Sequence, residues 1–277
     1  ATILFDGAMS HAKVYVNGQE VGYWPYGYNS FYFDITKQLM PGKKNTLAVR
    51  LENLPESSRW YPGAGLYRNV HVIVTENAHI PVWGTYVTTP TATKEFAKVN
   101  VRTQIVLLEG ADAGKYSVKT SVWNPNGQKL TEQTIPLSQI KYNDNSLSQE
   151  FIIQTPTLWS PDMPALYSAE TRLYEGDQLK DIYTTPFGIR SIEIIPNKGF
   201  FLNGEKTVFK GVCNHHDLGP LGAAVNDAAI RRQIRILKDM GCNAIRTSHN
   251  MPAPELVRAC DEMGMMLMDV RFDEWNK

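Results

Sequence analysis

The chain has 277 residues, 43% of them hydrophobic and 20% charged, and its 28 basic and 28 acidic side chains give a formal net charge of zero. This size predicts about two domains, and the hydrophobic content suffices for globular cores. The sequence lacks the Lys/Arg-rich run expected of a nucleic-acid binder, and no apolar run approaches the ~18 residues of a membrane-spanning helix.

Residues 1–77 are predicted to form a β-sandwich. Apolar residues alternate over His11–Gly22 on both sides of Asn17-Gly18, and Asn-Gly between two such runs is a strong hairpin signal. Further strand-like runs follow at Phe31–Ile35, Asn45–Asn53 and Leu66–Glu76. Several short strands separated by turns at this spacing are typical of a sandwich.

Residues 78–187 are again strand-like and show no helical period. Alternating runs occupy Lys98–Leu107, Tyr116–Leu130 and Ala165–Gly188. Hairpin turns are predicted at Asn124-Pro125-Asn126-Gly127 and Glu175-Gly176-Asp177. A segment of about 110 residues with this pattern suits an immunoglobulin-like sandwich, although it has no cysteine and so lacks the Cys and Trp core of antibody domains.

Residues 188–277 alternate between strands and helices. Asn226–Gly241 has apolar residues at near-helical spacing, with Asn226 as the predicted N-cap. A second helix is predicted over Pro252–Gly264, and the apolar run Met265–Val270 is typical of a strand buried on both faces. The order β-α-β-α-β with short connections predicts the first three βα units of a (β/α)8 TIM barrel. The predicted fold class is therefore multidomain β plus α/β.

Polar side chains follow the first two predicted barrel strands. His216 and Asp217 come after the first strand, with His215 beside them, and His249 and Asn250 come after the second. Active sites of β/α barrels lie at the carboxyl ends of the strands, so these residues are candidates for a site. An imidazole both donates and accepts hydrogen bonds near neutral pH, which suits contacts with hydroxyl groups. The alternative for each is a structural role in its loop.

Four segments resemble glycoside hydrolase family 2, which contains β-galactosidases, β-glucuronidases and β-mannosidases. They are FDGAMSHAKVYVNGQEVG, SSRWYPGAGLYRNVHV, FGIRSIEIIPNKGFFLNGEKTVFKGVCNHHDLGPLGAA, and AIRTSHNMPAPELVRACDEMGMMLMD followed by FDEW. The resemblance covers essentially the whole chain, and HHDLGPLGAA and RTSHN are most similar to bacterial β-galactosidases. It implies a jelly-roll-like, galactose-binding-like sandwich at 1–77, an immunoglobulin-like sandwich at 78–187 and a partial TIM-barrel catalytic domain at 188–277.

The resemblance implies a fragment of a retaining exo-β-glycosidase, most similar to enzymes that hydrolyse terminal β-galactosides. Such enzymes need two carboxyl groups about 5–5.5 Å apart. By resemblance, the acid/base is a Glu in an Asn-Glu pair after the fourth barrel strand, and the nucleophile is a Glu after the seventh. No Glu follows an Asn in this chain. We therefore expect both catalytic glutamates to lie beyond Lys277 and the chain alone to be inactive.

The resemblance also implies ligands for the remaining polar residues. His216, Asp217, His249 and Asn250 are expected to bind the sugar. Glu274 lies near a position that binds magnesium in some relatives, but Asn276 stands where those relatives have a His. Glu274 is therefore a candidate ligand for Mg²⁺, and the alternative is a solvated loop carboxylate. Arg246 is expected to hold a buried carboxylate inside the barrel, and Asn214 is expected to be structural. Asp269 is followed by Val270, whereas a Glu usually follows it in the family.

The long loop Ser57–Arg68 reaches the barrel mouth in relatives. Its aromatic and basic residues either contact the sugar or pack between sandwich and barrel, with a salt bridge expected for Arg68; they are Arg59, Trp60, Tyr61 and Arg68. Trp24 and Tyr26–Tyr28 are aromatic candidates on the surface, and the alternative for them is packing at an edge strand. The expected partners are a carbohydrate substrate and, as an option, a second copy of the chain. The bacterial periplasm or cell surface is the expected location by family habit, with the cytoplasm as the alternative.

Two other functions stay open on the sequence. One is a β-glucuronidase of the same family, and the other is a non-catalytic carbohydrate-binding module of two sandwiches. The helix-bearing region Asn226–Gly264 argues against the module. Three parallel strands leave an unpaired edge, so we expect a partner chain or the second sandwich to stabilise the barrel segment.

Overall fold

The computed structural model describes residues 1–55, 62–107, 109–139 and 146–270. They fall into two units, one made of Ala1–Val74 with Phe209–Lys277 and the other of Thr75–Val208. The predicted domain boundaries after residues 77 and 187 stay predictions. Within the described ranges, no helix combines the length and the apolar character that a membrane crossing requires.

Six short strands build the amino-terminal part of the first unit. They are β1 (Thr2–Phe5), β2 (Ala12–Val16), β3 (Gln19–Trp24), β4 (Phe31–Asp34), β5 (Leu47–Arg50) and β6 (Val70–Ile73). Two antiparallel sheets have the orders β4-β1-β6 and β3-β2-β5. Their shared core includes the stacked rings of Phe5 and Phe31, 4.9 Å apart, and the alternating Ala12, Val14 and Val16. This first sandwich therefore buries the residues that the alternation predicts.

The turn between β2 and β3 has the geometry that its sequence predicts. Asn17 and Gly18 have φ angles of 51° and 81°. A type I′ hairpin turn requires positive φ at both central residues. The Asn17 side chain also donates to the Gln38 carbonyl at 2.8 Å, which ties the turn to a neighbouring loop.

The second unit is a β-structure. Its described strands are β7 (Thr85–Ala92), β8 (Phe96–Gln104), β9 (Tyr116–Trp123), β10 (Lys129–Pro136), β11 (Ser146–Gln154), β12 (Leu166–Glu175), β13 (Gln178–Gly188), β14 (Ile192–Ile195), β15 (Gly199–Leu202) and β16 (Glu205–Lys206). Sheets β10-β9-β12-β13 and β11-β8-β7 pack on a shared core that includes Val99, Val122 and Phe151, while β14-β15-β16 forms a separate sheet. Thr120 Oγ1 donates to Gln149 Oε1 at 2.6 Å inside the sandwich, so this buried polar pair is satisfied.

The carboxyl-terminal part of the first unit alternates strands and helices. This barrel segment contains β17 (Gly211–Asn214), α1 (Asp227–Asp239), β18 (Ala244–Thr247), α2 (Pro254–Met263) and β19 (Met266–Met268). The strands are parallel in the order β17-β18-β19. Asn226 caps α1 as predicted, because its Oδ1 accepts from Ala229 N at 3.0 Å. Gly264 ends α2 in the left-handed region, with φ 74°.

Candidate functional site

The three parallel strands of the barrel segment have two different faces. Val212, Ile245 and Leu267 pack against the core that α1 and α2 share. The next residue of each strand points to the other face, because side chains alternate along a strand. In register, Cys213 pairs with Arg246 and Arg246 with Met268, so these three residues form one row across the sheet.

Arg246 lies on the face that is turned away from the helices. Its Nη1 lies 3.9 Å from Cys213 Sγ. In the described part of the chain, no carboxylate lies within ion-pair distance of this guanidinium. The buried carboxylate expected beside Arg246 is therefore not supplied by the described residues and stays a prediction.

Two imidazoles meet beyond the carboxyl ends of β17 and β18. The rings of His215 and His249 are 6.0 Å apart, centroid to centroid, and nearly perpendicular at 87°. Strand alternation continued past Asn214 puts His215 on the same face as Cys213. The structure thus brings His249 together with His215, the neighbour of the candidate His216.

His216 lies against the first sandwich. Its Nε2–H donates to the Pro62 carbonyl at 3.0 Å, and its ring packs edge-on to Tyr28 and Tyr67, with centroids 5.1 and 6.2 Å away. Burial lowers the pKa of His216 below its ordinary value, and nearby Arg68 lowers it further. The neutral imidazole is therefore favoured in this interface between sandwich and barrel segment.

Asp217 and Asn250 make different contacts. Asp217 Oδ1 accepts from the backbone N–H of Gly219 at 2.7 Å, an Asx-type bond that fixes the loop after β17. Asn250 Oδ1 accepts from Tyr26 Oη of the first sandwich at 3.3 Å. Asn250, one of the four predicted sugar ligands, is thus hydrogen-bonded to an aromatic residue of the sandwich.

Several candidates lie outside the described residues. They are Arg59, Trp60, Tyr61 and Glu274, and with Glu274 the predicted Mg²⁺ site. Among the residues that are described, no three His, Cys, Asp or Glu side chains cluster in a way that could hold a metal ion. The magnesium expectation therefore stays a prediction.

Arg68 is the central buried cation of the interface. It is only 5% exposed, and its Nη atoms donate to four backbone carbonyls at 2.6–3.3 Å, those of Asp6, Tyr28, Met251 and Pro252. Among the described residues no carboxylate forms a salt bridge with Arg68, and these carbonyls accept its hydrogen bonds instead. The salt bridge expected for Arg68 therefore stays a prediction. Burial lowers the pKa of Arg68, and Tyr67 and Glu255 oppose that shift.

Neighbours of Arg68 extend the same interface. The Asn69 amide donates to Glu255 Oε1 on α2, and Val225 N donates to the Tyr67 carbonyl at 2.9 Å. Gly63 lies so close to Ala223 that a Cβ on it would be 2.3 Å from the Ala223 Cβ. The chain from Pro62 to Asn69 therefore joins the sandwich to the loop before α1 and to the start of α2.

A small cavity lies inside this interface. Its volume is about 50 Å³, and its lining includes Tyr67, Arg68, His216, Val225, Pro252 and Leu256. Small-molecule sites usually measure about 300–1,000 Å³. His215 also lines this cavity, which is too small to enclose a sugar. The candidate site is therefore the strand ends at His215 and His249, outside the cavity.

Sequence reasoning gave His215 and Tyr26 less weight than the structure does. Alternation could have identified His215, since apolar Val212 faces the helices and positions 213 and 215 face away. Nothing in the sequence indicates that Tyr26 meets Asn250, because the two residues are 224 positions apart.

Family comparisons match nearly the whole chain. Residues 1–77 match "Glycosyl hydrolases family 2, sugar binding domain", residues 78–190 match "Glycosyl hydrolases family 2", and residues 193–273 match "Glycosyl hydrolases family 2, TIM barrel domain". The predicted family resemblance and the predicted fold class are both confirmed by these matches.

Individual relatives agree with the family matches. A beta-galactosidase of Bacteroides ovatus is 43% identical over 99% of this chain and 32% of its own length. A putative beta-glucuronidase of Formosa agariphila is 38% identical over 99% of this chain and 26% of its own length. The crystal structure of a glycosyl hydrolase family 2 member from Bacteroides cellulosilyticus superposes with a TM-score of 0.93 at 38% identity, covering 100% of this chain and 36% of that one. The chain therefore spans between a quarter and about a third of the length of the curated relatives named here.

Proposed function

Because the chain belongs to glycosyl hydrolases family 2, we propose that it is a piece of a retaining exo-β-glycosidase that hydrolyses terminal β-galactosides. The pair His215 and His249 carries this proposal: two imidazoles meet at the carboxyl ends of adjacent parallel strands, where β/α barrels bind substrate. The 43% identity to a beta-galactosidase supports galactose over other sugars.

The reaction needs two carboxyl groups, one as nucleophile and one as acid/base. At this sheet edge, the described carboxylates are Asp217 and Asp269, and each is already bonded, to Gly219 N and to the Thr247 hydroxyl respectively. In the proposal, both catalytic glutamates come from sequence after Lys277. His215 and His249 then bind sugar hydroxyl groups, with Asn250 beside them, and Asp217 shapes the loop.

Arg246 has a defined part in this proposal. A cation enclosed in a barrel without a counter-ion is strongly destabilising. We assign Arg246 to one of the carboxylates that the rest of the barrel supplies, where it would hold that group ionised. A nucleophile acts as an ionised carboxylate, whereas a general acid must be protonated, so the carboxylate beside Arg246 is better assigned as the nucleophile.

A second candidate activity is the hydrolysis of β-glucuronides. The relative of 38% identity is a putative beta-glucuronidase, and it aligns with 99% of this chain. A non-catalytic binding module made of two sandwiches is disfavoured, because such a module would not contain the β-α-β-α-β segment with histidines at its strand ends.

The test is hydrolysis of p-nitrophenyl β-D-galactoside and p-nitrophenyl β-D-glucuronide by the full-length protein and by the 277-residue chain. We expect the full-length protein to prefer the galactoside and the chain alone to be inactive. A preference for the glucuronide would instead favour the β-glucuronidase activity over the β-galactosidase activity. Activity of the chain alone would contradict the proposal and would mean that carboxylates of this chain, such as Asp217, Asp269 or Glu274, do the chemistry.

A further inference from the structure

Tyr26 projects from the first sandwich to the strand ends of the barrel segment. Its hydroxyl donates to Asn250 Oδ1 at 3.3 Å, and Asn250 directly follows His249. The ring packs against Tyr28 at 5.6 Å, and Tyr28 in turn packs edge-on against His216 at 5.1 Å. A row of rings thus runs along the interface and ends at the Asn250 amide.

The backbones that carry Tyr26 and Asn250 are fixed together. Arg68 donates to the carbonyl of Tyr28 at 2.6 Å and to the carbonyl of Met251 at 2.8 Å, so one guanidinium holds both segments. Tyr67 Oη adds a hydrogen bond of 2.9 Å to the Gly27 carbonyl. These contacts hold the loop without the Tyr26 hydroxyl.

Close packing also restricts the Tyr26 loop. A Cβ on Gly27 would be 2.4 Å from Met9 Sδ and 3.2 Å from Met9 Cα, so the backbone of this loop packs closely against Met9. A catalytic constellation performs best when neighbouring contacts restrict its rotamers in this way. The backbone at Gly27, next to Tyr26, is therefore restricted, and the Tyr26 side chain is held by its contacts with Tyr28 and Asn250.

The Tyr26 phenol is a donor throughout the range in which glycosidases are assayed. Burial, followed by the nearby Tyr28, raises the pKa of Tyr26 to about 12. A protonated phenol directs its hydrogen to an acceptor, which is the Oδ1 of the Asn250 amide. With Oδ1 engaged, the amide offers its NH₂ group on the opposite side.

We propose that Tyr26 is a positioning residue of the sugar site: it orients Asn250 so that the amide NH₂ donates to an oxygen of the bound glycoside. The inference rests on the proposed function, since it requires that this strand edge bind a glycoside. The acceptor is a hydroxyl oxygen of a galactoside or a carboxylate oxygen of a glucuronide.

The experiment uses the full-length protein and the variants Y26F, N250A and Y26F/N250A. We expect Y26F to lower kcat/KM for the preferred p-nitrophenyl glycoside by about tenfold, the usual effect of one neutral hydrogen bond. In the N250A background, Y26F should change kcat/KM by less than about twofold, since coupled residues are not additive. Equal losses in both backgrounds would overturn the proposal.

A matched control is Y23F, which also removes one hydroxyl from the first sandwich. Tyr23 is 44% exposed, and its hydroxyl bonds His11 Nδ1 at 2.7 Å. Y23F should leave kcat/KM unchanged, and Y26F should leave the Tm of the protein unchanged. A lower Tm for Y26F together with equal effects of Y23F and Y26F on kcat/KM would reduce Tyr26 to a structural role.

Substrate analogues identify the oxygen. Aryl galactosides that each lack one hydroxyl are compared with the aryl glucuronide in wild type and Y26F. We expect the Y26F effect to disappear for one analogue only, and a uniform Y26F effect on every substrate would contradict the assignment. Wild type inactive on all these glycosides would instead refute the proposed function, and this inference with it.

Discussion

His215 and His216 are adjacent in the sequence and have different surroundings. The ring of His215 faces His249 at 6.0 Å, whereas His216 donates to the Pro62 carbonyl and packs on two tyrosines of the sandwich. The two imidazoles therefore suit two tasks, one towards a ligand and one towards the interface between the domains.

We expect H215A and H216A to separate these tasks in the full-length protein. H215A should lower kcat/KM by about 100-fold, a typical effect of removing one preorganised donor, with unchanged stability. H216A should lower the free energy of unfolding by about 1–3 kcal/mol, because a buried hydrogen bond and ring contacts are lost. Kinetics and denaturant unfolding measure both. A larger kinetic effect from H216A at unchanged stability would return the sugar-binding role to His216.

Replacing Arg68 tests the buried cation. R68M leaves the carbonyls of Tyr28 and Met251 without their donor, and we expect a loss of about 3–5 kcal/mol in the free energy of unfolding. R50A is the control: Arg50 has a 60% exposed side chain paired with Glu52, and such pairs contribute about 1 kcal/mol or less. Equal losses in the two variants would show that Arg68 does not stabilise the interface.

Strands and helices followed from the sequence more closely than the site did. Local patterns determine them: alternation gave β2, Asn17-Gly18 gave its turn, and Asn226 gave the start of α1. The strand predicted at Met265–Val270 is shorter, Met266–Met268, because only these residues pair with β18 and the polar Asp269 follows them. Contacts such as Tyr26 with Asn250 depend on chain packing over 224 positions, for which local patterns carry no signal.

Gly211 controls the spacing of β17 and β18. A Cβ there would be 1.8 Å from the Ala244 carbonyl oxygen, so G211A must push the two parallel strands apart. We expect a loss of about 3 kcal/mol or more in the free energy of unfolding. G42A adds the same methyl group at a turn with φ +73° and open space around it, and should cost about 1 kcal/mol. A G211A variant as stable as G42A would mean that the strands are not this close.

The cap of α1 is testable with a conservative pair of variants. N226A removes the Oδ1 that accepts from Ala229 N, and we expect it to lower the free energy of unfolding by about 1 kcal/mol. N226D keeps an acceptor at the same position and should stay within a few tenths of a kcal/mol of wild type. Equal free energies of unfolding for N226A and N226D, measured by denaturant unfolding, would contradict the role of Asn226 as the cap.

At the scale of the whole molecule, the parallel sheet is open on two sides. Within the described residues, β17 and β19 each pair only with β18, and Cys213 is exposed on the face turned away from the helices. Unpaired strand edges promote association, so the 277-residue chain is a candidate for a dimer or for aggregation. A closed barrel would enclose this face.

Cysteine labelling measures that closure. In the 277-residue chain we expect a thiol reagent to modify Cys213 rapidly, whereas Cys260 is the internal control, since it is buried and burial raises its pKa to about 12. In the full-length protein Cys213 should be protected. Rapid labelling of Cys213 in both proteins, with Cys260 inert, would show that the row of Cys213, Arg246 and Met268 stays open to solvent.

The contacts of Arg68 also set an order of events during protein synthesis. Two of its carbonyl partners, Met251 and Pro252, are 183 and 184 residues further along the chain. At about 5–20 residues per second, the ribosome needs roughly 10–40 s to make that length. While the whole second unit is translated, the nascent sandwich therefore exists without two of the four carbonyl acceptors of Arg68. During that interval, chaperones would bind the exposed surface of the sandwich that later packs on the barrel segment.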